Sequence, residues 1–202
     1  METVKTFTHN GYTVKIKHDE DPCNPILDDY LVKVIMWHKN YDFGNFKGYS
    51  PEEFEEFCKE EGAIRLPLYL YDHSGVTVNT TGFNCPWDSG QVGWVFVTPD
   101  DLVATVGVLD PYELLVSMVK VLDDYLTGNC FGFEIYKTCA SCGAEEEFID
   151  SCWGFFGDYD QEDGVIDAAK EAVPEPEKES PESWSARQSN QEISNKRGSY
   201  AI

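Results

Sequence analysis

Basic residues are scarce in this chain, which holds 15 lysines and arginines against 37 aspartates and glutamates and so carries a formal net charge of −22. The excess runs along the whole chain, with 26 acids against 10 bases in residues 1–157 and 11 against 5 in residues 158–202. A surface of this sign repels DNA, RNA and anionic lipid, so direct nucleic-acid binding is not expected. It would instead attract a basic groove on another protein, including a groove that normally holds nucleic acid.

Long apolar runs are also missing. No segment approaches the ~18 apolar residues that a membrane-spanning helix needs, and residues 1–6 contain no apolar run of the kind found in a secretory signal. The cysteines number seven, an odd count, and the chain has neither a His-Glu-x-x-His motif nor a pair of Cys-x-x-Cys motifs. These absences predict a cytoplasmic protein with reduced thiols.

The sequence does contain apolar segments separated by turn residues, as expected of a folded chain. It has 202 residues, 42% of them hydrophobic, which suffices for one domain with a sizeable core. Helix starts are marked by a capping residue followed by proline at Ser50, Thr98 and Asp110. Predicted strands cover residues 11–17, 30–37, 66–71, 76–80, 91–98, 131–136 and 147–152.

Strands and helices follow one another without βαβ alternation. This order predicts an α+β fold, a single domain with a mostly antiparallel sheet and two to four helices. Residues 1–157 form the folded domain in this interpretation, and a further helix is predicted within residues 158–173. From residue 174 onward proline, glutamate, serine, asparagine and lysine dominate, so residues 174–202 are predicted to be a disordered acidic tail.

The most informative stretch is residues 64–98. Two apolar runs, 66–71 and 92–97, have the length and composition of buried strands. Between them lies a polar, glycine-rich segment that contains most of the reactive side chains of the chain. Reactive side chains at strand ends, held by glycine turns, are a common way of presenting a functional site.

Four blocks of sequence carry a resemblance to a known group of proteins. They are Asp19-Glu20-Asp21-Pro22 with Asn24-Pro25; Trp37-His38 with Tyr41 and Gly44; residues 66–75 (LPLYLYDHSG) with 85–93 (CPWDSGQVG); and residues 150–155 (DSCWGF). In these blocks the chain is similar to a family of uncharacterised proteins found in bacteriophages and mobile elements. The resemblance implies a phage origin and no particular activity. Together with the missing signal and membrane segments, it predicts the host cytoplasm as the location.

Several polar side chains lie beside predicted turns, where they could converge on one site. The candidates for a catalytic site are His38, Asp72, His73, Cys85 and Asp88. The candidates for a divalent metal site are Asp19, Asp21, His38 and His73. Imidazoles and carboxylates serve both as acids and bases and as metal ligands. The alternative is that these residues cap turns by bonding nearby backbone amides, because none of their spacings is a metal signature.

Cys85 has a second interpretation of its own. It precedes Pro86 and lies near His73 in the sequence, so a thiol nucleophile with its base is one hypothesis. Against it, cysteine commonly serves as a small buried apolar residue.

Cys139 and Cys142 have the spacing of half a zinc site, and Cys130 and Cys152 on the same predicted hairpin are candidate partners. The alternative is a loop with two free thiols or an incidental disulfide. The resembled family has a short acidic turn at this place, so the cysteine pair departs from its pattern.

Three tryptophans, Trp87, Trp94 and Trp153, could form a recognition surface. The alternative is packing in the core and in turns, because large aromatic side chains dominate burial in small domains.

Three hypotheses for function follow. The first is a phage-type accessory protein that binds and modulates a host protein, with anti-defence action by nucleic-acid mimicry as its specific form; this comparison with DNA-mimic proteins is an analogy from charge. The second is a small metal-dependent hydrolase built on the Asp72-His73 and 85–91 loops. The third is a virion or assembly component.

Overall fold

The computed structural model describes residues 1–27, 31–103, 110–139 and 141–175, which form two four-stranded antiparallel sheets and four helices. The strands are β1 (Thr3–His9), β2 (Tyr12–His18), β3 (Lys33–Met36), β4 (Ile64–Asp72), β5 (Val76–Asn79), β6 (Ser89–Val97), β7 (Cys130–Thr138) and β8 (Glu145–Phe156). The helices are α1 (Pro51–Glu61), α2 (Pro99–Leu102), α3 (Pro111–Thr127) and α4 (Val165–Ala172).

The first sheet joins the two ends of the described chain in the order β1-β2-β7-β8. Val14 and Ile16 of β2 are fully buried and belong to a hydrophobic cluster that also holds Val165 and Ala169 of α4. The opposite face carries ion pairs such as Lys17 with Glu134 at 2.6 Å, together with the rings of Tyr136 and Trp153. Helix α4 therefore covers one face of this sheet, as the alternation of apolar and polar residues in β2 predicts.

The second sheet has the order β3-β6-β4-β5 and is covered on both faces. Val95 and Val97 of β6 pack in one cluster with apolar residues of α3. Phe96, which points the other way, meets Phe54 of α1 with ring centroids 5.1 Å apart. Burial on both faces explains why the central strands are continuous apolar runs in the sequence.

Helix ends coincide with the capping signals. Ser50 and Thr98 each form a reciprocal capping box with the residue three positions later, and Asp110 accepts the amides of the first turn of α3. Gly62 and Gly128 end α1 and α3 in the left-handed conformation that favours glycine.

Gly93 permits the close approach of β3 to β6. A Cβ atom at this position would lie 2.0 Å from the carbonyl oxygen of Ile35, so any side chain would clash with the neighbouring backbone. The amide of Trp37 then donates to the carbonyl of Val92 at 2.8 Å. This hydrogen bond holds the segment that follows β3 next to the beginning of β6, beside the end of β4.

The predicted α+β class, the antiparallel pairing and the number of helices are confirmed. The strands divide into two sheets where one was expected, because β2 pairs with β7 and the segments between them pair among themselves. Strand β1 was not predicted. The helix expected within 158–173 is α4, and the predicted tail from residue 176 onward lies outside the described residues. None of the described helices is long and apolar enough to cross a membrane.

Candidate functional site

A cleft of about 420 Å³ lies where β3 and β4 end and β6 begins. We call it the Trp87 cleft. It is lined by Trp37, His38, Asn40, Leu70, Asp72, Trp87, Asp88, Ser89, Gly90, Gln91 and Val92. Three of the five residues predicted to be catalytic, His38, Asp72 and Asp88, therefore share one cleft. The other two, His73 and Cys85, approach its wall through Asp88.

Asp72 is held in place from two sides. The hydroxyl of Tyr41 donates to its Oδ2 at 2.9 Å, and the backbone amide of Asp72 donates to the carbonyl of Asp88 at 2.9 Å. The hydrogen bond to Asp72 raises the pKa of the Tyr41 hydroxyl. Tyr41 in turn stacks on His38, with ring centroids 5.2 Å apart and planes 10° from parallel. Tyr41 follows His38 by three positions and was not predicted to belong to the site.

Asp88 lies between two other candidate residues. The Nδ1 atom of His73 is 3.5 Å from its Oδ2, and the sulfur of Cys85 is 3.7 Å from the same oxygen. The hydroxyl of Ser89 donates to the carbonyl of Cys85 at 2.5 Å and closes the turn. These contacts favour a structural role for the polar residues of the 85–89 loop, and they leave the carboxylate of Asp88 at the wall of the cleft.

The nucleophile hypothesis for Cys85 requires a base beside the thiol. In the described residues the thiol of Cys85 and the imidazole of His73 both approach the carboxylate of Asp88, and no hydrogen bond joins them directly. The Cys85 side chain is half-buried, which is neither the full burial of a core thiol nor free exposure.

Trp87 projects into solvent, with 91% of its side chain exposed. The other two tryptophans named above are packed. Trp94 carries the guanidinium of Arg65 4.0 Å from its ring centre. Trp153 lies so closely on Gly132 that a Cβ there would be 2.2 Å from its ring. Packing thus explains two of the three tryptophans, and Trp87 alone of these three is offered to solvent.

Asp19 and Asp21 lie at another place. They follow β2 and line a separate cleft of about 510 Å³ together with Trp153 and Phe156. The Oδ1 atom of Asp19 accepts the amide of Asp21 at 3.2 Å, as expected of a turn-capping aspartate. The structure does not bring these two carboxylates into the cleft that His38 lines. Among the described residues no three histidine, cysteine, aspartate or glutamate side chains are grouped so as to hold a metal ion.

The four cysteines of the predicted zinc site lie at three separate places on the β7–β8 hairpin. Cys139 and Cys142 lie in its loop, where a hydrogen bond with the Ser141 hydroxyl, 3.0 Å away, lowers the pKa of the Cys139 thiol. Cys130 is fully buried at the far end of β7, about 30 Å along the strand at ~3.3 Å per residue. Cys130 therefore cannot share a metal with the loop cysteines. Cys152 pairs with Phe133 in the middle of the hairpin.

The Trp87 cleft combines two carboxylates, two indole rings and an imidazole. No lysine or arginine is among the described residues that line it. A site of this composition is suited to a cation that also has a flat or apolar surface, because carboxylates attract positive charge and indole faces bind cations. Comparison of the chain with family models, with curated proteins and with solved structures found no match, so the chemistry of this cleft is the basis for assigning a function.

Proposed function

We propose that this protein is an acidic accessory protein that binds a basic surface of another protein, with the Trp87 cleft at the centre of the contact. The observation that carries the proposal is the position of Trp87, which is 91% exposed at the edge of a cleft lined by two carboxylates. Exposure of a whole indole to water is unfavourable in a free protein, and tryptophan is the residue type most enriched among those that dominate binding energy.

The charge of the chain supports a basic partner. At a net charge of −22, long-range attraction would increase the rate of encounter with a positively charged surface. The resemblance to phage proteins makes a host protein the expected partner. Mimicry of nucleic acid, with the protein occupying a groove that normally binds DNA or RNA, is the specific anti-defence form of this proposal.

A small hydrolase is the second candidate, because His38, Asp72 and Asp88 line one cleft. Carboxylates and an imidazole at one site have the groups needed for acid–base catalysis. The variant Asp88→Asn distinguishes the two candidates. It would abolish turnover in a hydrolase, whereas in a binding protein it would lower the affinity for the partner and leave the choice of partner unchanged.

Site-specific crosslinking tests the binding proposal. A photoreactive phenylalanine analogue is placed at position 87 of the full chain, and a matched copy carries it at Tyr112, an aromatic on α3 with 54% of its side chain exposed. Host lysate is irradiated with each protein, and the adducts are identified by mass spectrometry. The proposal expects one basic protein to be captured from position 87 and not from position 112.

Binding of the captured protein is then measured with purified components. Affinity should fall steeply from low to high ionic strength, and excess DNA should displace the acidic protein if it occupies a nucleic-acid groove. Equal capture from both positions, or an affinity that ignores salt, would overturn the proposal. Salt-sensitive binding that DNA does not disturb would retain it and remove the mimicry form.

A further inference from the structure

We propose that the Trp87 cleft receives an arginine side chain of the partner. Its guanidinium would lie against the indole of Trp87 and between the carboxylates of Asp72 and Asp88. This inference rests on the proposed function, since it names the group that the basic surface contributes. A surface that attracted positive charge alone would bind lysine and arginine with equal affinity, whereas this cleft is expected to prefer arginine.

The protein already binds one guanidinium in this way within its own fold. The Nη1 and Nη2 atoms of Arg65 donate to the two carboxylate oxygens of Glu55 at 2.7 and 2.8 Å. The same guanidinium lies 4.0 Å from the ring centre of Trp94. A carboxylate at the edge and an indole at the face satisfy both the charge and the planar shape of the group.

The cleft has the same two kinds of group without a guanidinium. Tyr41 bonds Oδ2 of Asp72, and His73 and Cys85 approach Oδ2 of Asp88. Among the described residues nothing donates to Oδ1 of either aspartate, so one oxygen of each carboxylate is available to a ligand. The 2.9 Å hydrogen bond from Tyr41 restrains the Asp72 side chain, which lowers the ordering cost of binding at that carboxylate.

The two indole rings of the cleft differ in how they are held. The indole of Trp37 is fixed, because its Nε1 donates to the carbonyl of Tyr49 at 2.9 Å and its ring meets Phe54 edge-on. The indole of Trp87 stands free at the edge, with 91% exposed, and can close over a bound group. The volume of about 420 Å³ accommodates a long side chain together with neighbouring backbone.

Three blocked peptides of identical length test the inference on the full-length protein. Each has glycines around one central residue, which is arginine, lysine or citrulline; citrulline keeps the shape of arginine and lacks its charge. Affinities are obtained from tryptophan fluorescence and from the indole N–H signals in NMR spectra. We expect the arginine peptide to bind about three to ten times more tightly than the lysine peptide, and the citrulline peptide to bind more weakly than both.

Variants locate the effect. Trp87→Ala should bring the arginine and lysine affinities close together, whereas Asp72→Asn and Asp88→Asn should weaken both. Tyr112→Ala is the matched control and should leave both affinities unchanged. Equal binding of arginine and lysine to the unchanged protein, or an arginine preference that survives Trp87→Ala, would overturn this inference and leave basic-surface binding in place. If no basic peptide binds and crosslinking at position 87 captures nothing, the proposed function fails with it.

Discussion

The backbone amide of Asp72 donates to the backbone carbonyl of Asp88 at 2.9 Å. This bond joins the last residue of β4 to the residue immediately before β6. The two aspartates of the Trp87 cleft therefore lie on hydrogen-bonded neighbouring segments of backbone. The pairing of the two strands thus fixes the backbone positions from which the two side chains extend into the cleft. A site built on a rigid backbone can select a ligand by shape as well as by charge.

Trp87→Ala should separate binding from stability. Because the indole is 91% exposed, its removal should change the free energy of unfolding by less than about 0.5 kcal/mol. Loss of a dominant contact residue should reduce the affinity for the partner by about 2 kcal/mol, or roughly thirtyfold in Kd. Chemical denaturation and calorimetric titration measure the two quantities. A variant that loses stability and affinity together would show that Trp87 supports the fold.

His73→Ala should have only a small effect on stability. The imidazole is 64% exposed and the carboxylate of Asp88 is 41% exposed, so water screens the pair that they form at 3.5 Å. We expect the free energy of unfolding to fall by less than about 1 kcal/mol, because an exposed contact of this length contributes little to stability. Denaturant titration of His73→Ala and of Asp88→Asn checks this. A loss several times larger would mean that the 85–89 loop contributes to the folding of the second sheet.

Gly93→Ala should be strongly destabilising. The added Cβ would meet the carbonyl oxygen of Ile35 at 2.0 Å, and only a movement of β3 away from β6 could relieve the clash. We expect a loss of at least about 2 kcal/mol in the free energy of unfolding. Gly90→Ala in the same strand is the control, because a Cβ there meets nothing within 4 Å. If thermal unfolding shows equal losses for the two variants, the close approach of β3 is not what requires glycine at position 93.

Alkaline pH should weaken the fold through Cys130. Burial is the main cause that raises the pKa of this thiol from its ordinary value of 9.0 to about 11. The neutral thiol is favoured in the folded state, so its contribution to stability is intact below pH 9 and is lost as the pH rises toward about 11. Denaturation of the wild type and of Cys130→Ala across this window measures the effect. The variant should lose less stability than the wild type, and identical slopes would contradict the prediction.

Local signals in the sequence predicted the helices and most strands because capping boxes and alternation are readable over short distances. Strand β1 was not predicted from such signals. Its Val4 and Phe7 both pack against the hydrophobic cluster between the first sheet and α4. They are three positions apart because a register shift between Thr3 and Lys5 interrupts the period of two. The division into two sheets depends on pairing between distant strands, which no local pattern encodes.

The candidate site was predictable to the same extent. Asp72 and Asp88 were expected to lie at strand ends, and the pairing of β4 with β6 places them together. His38 reaches the same cleft through the contact of Trp37 with Val92. The role of Tyr41 and the exposure of Trp87 depend on tertiary packing, because a Trp-Asp dipeptide in a turn reads the same whether its indole is buried or free.

The first sheet is assembled from the two ends of the described chain. Thr13 and Thr138, whose hydroxyls lie 2.7 Å apart, are 125 positions apart in the sequence. During translation the β1–β2 hairpin therefore leaves the ribosome long before β7, and the edge of β2 that pairs with β7 has no partner in the interval. The strands of the second sheet are all present by residue 97, so this sheet can form on the ribosome in that time. A nascent chain would then present the Trp87 cleft while the edge of β2 is still unpaired and exposed to aggregation.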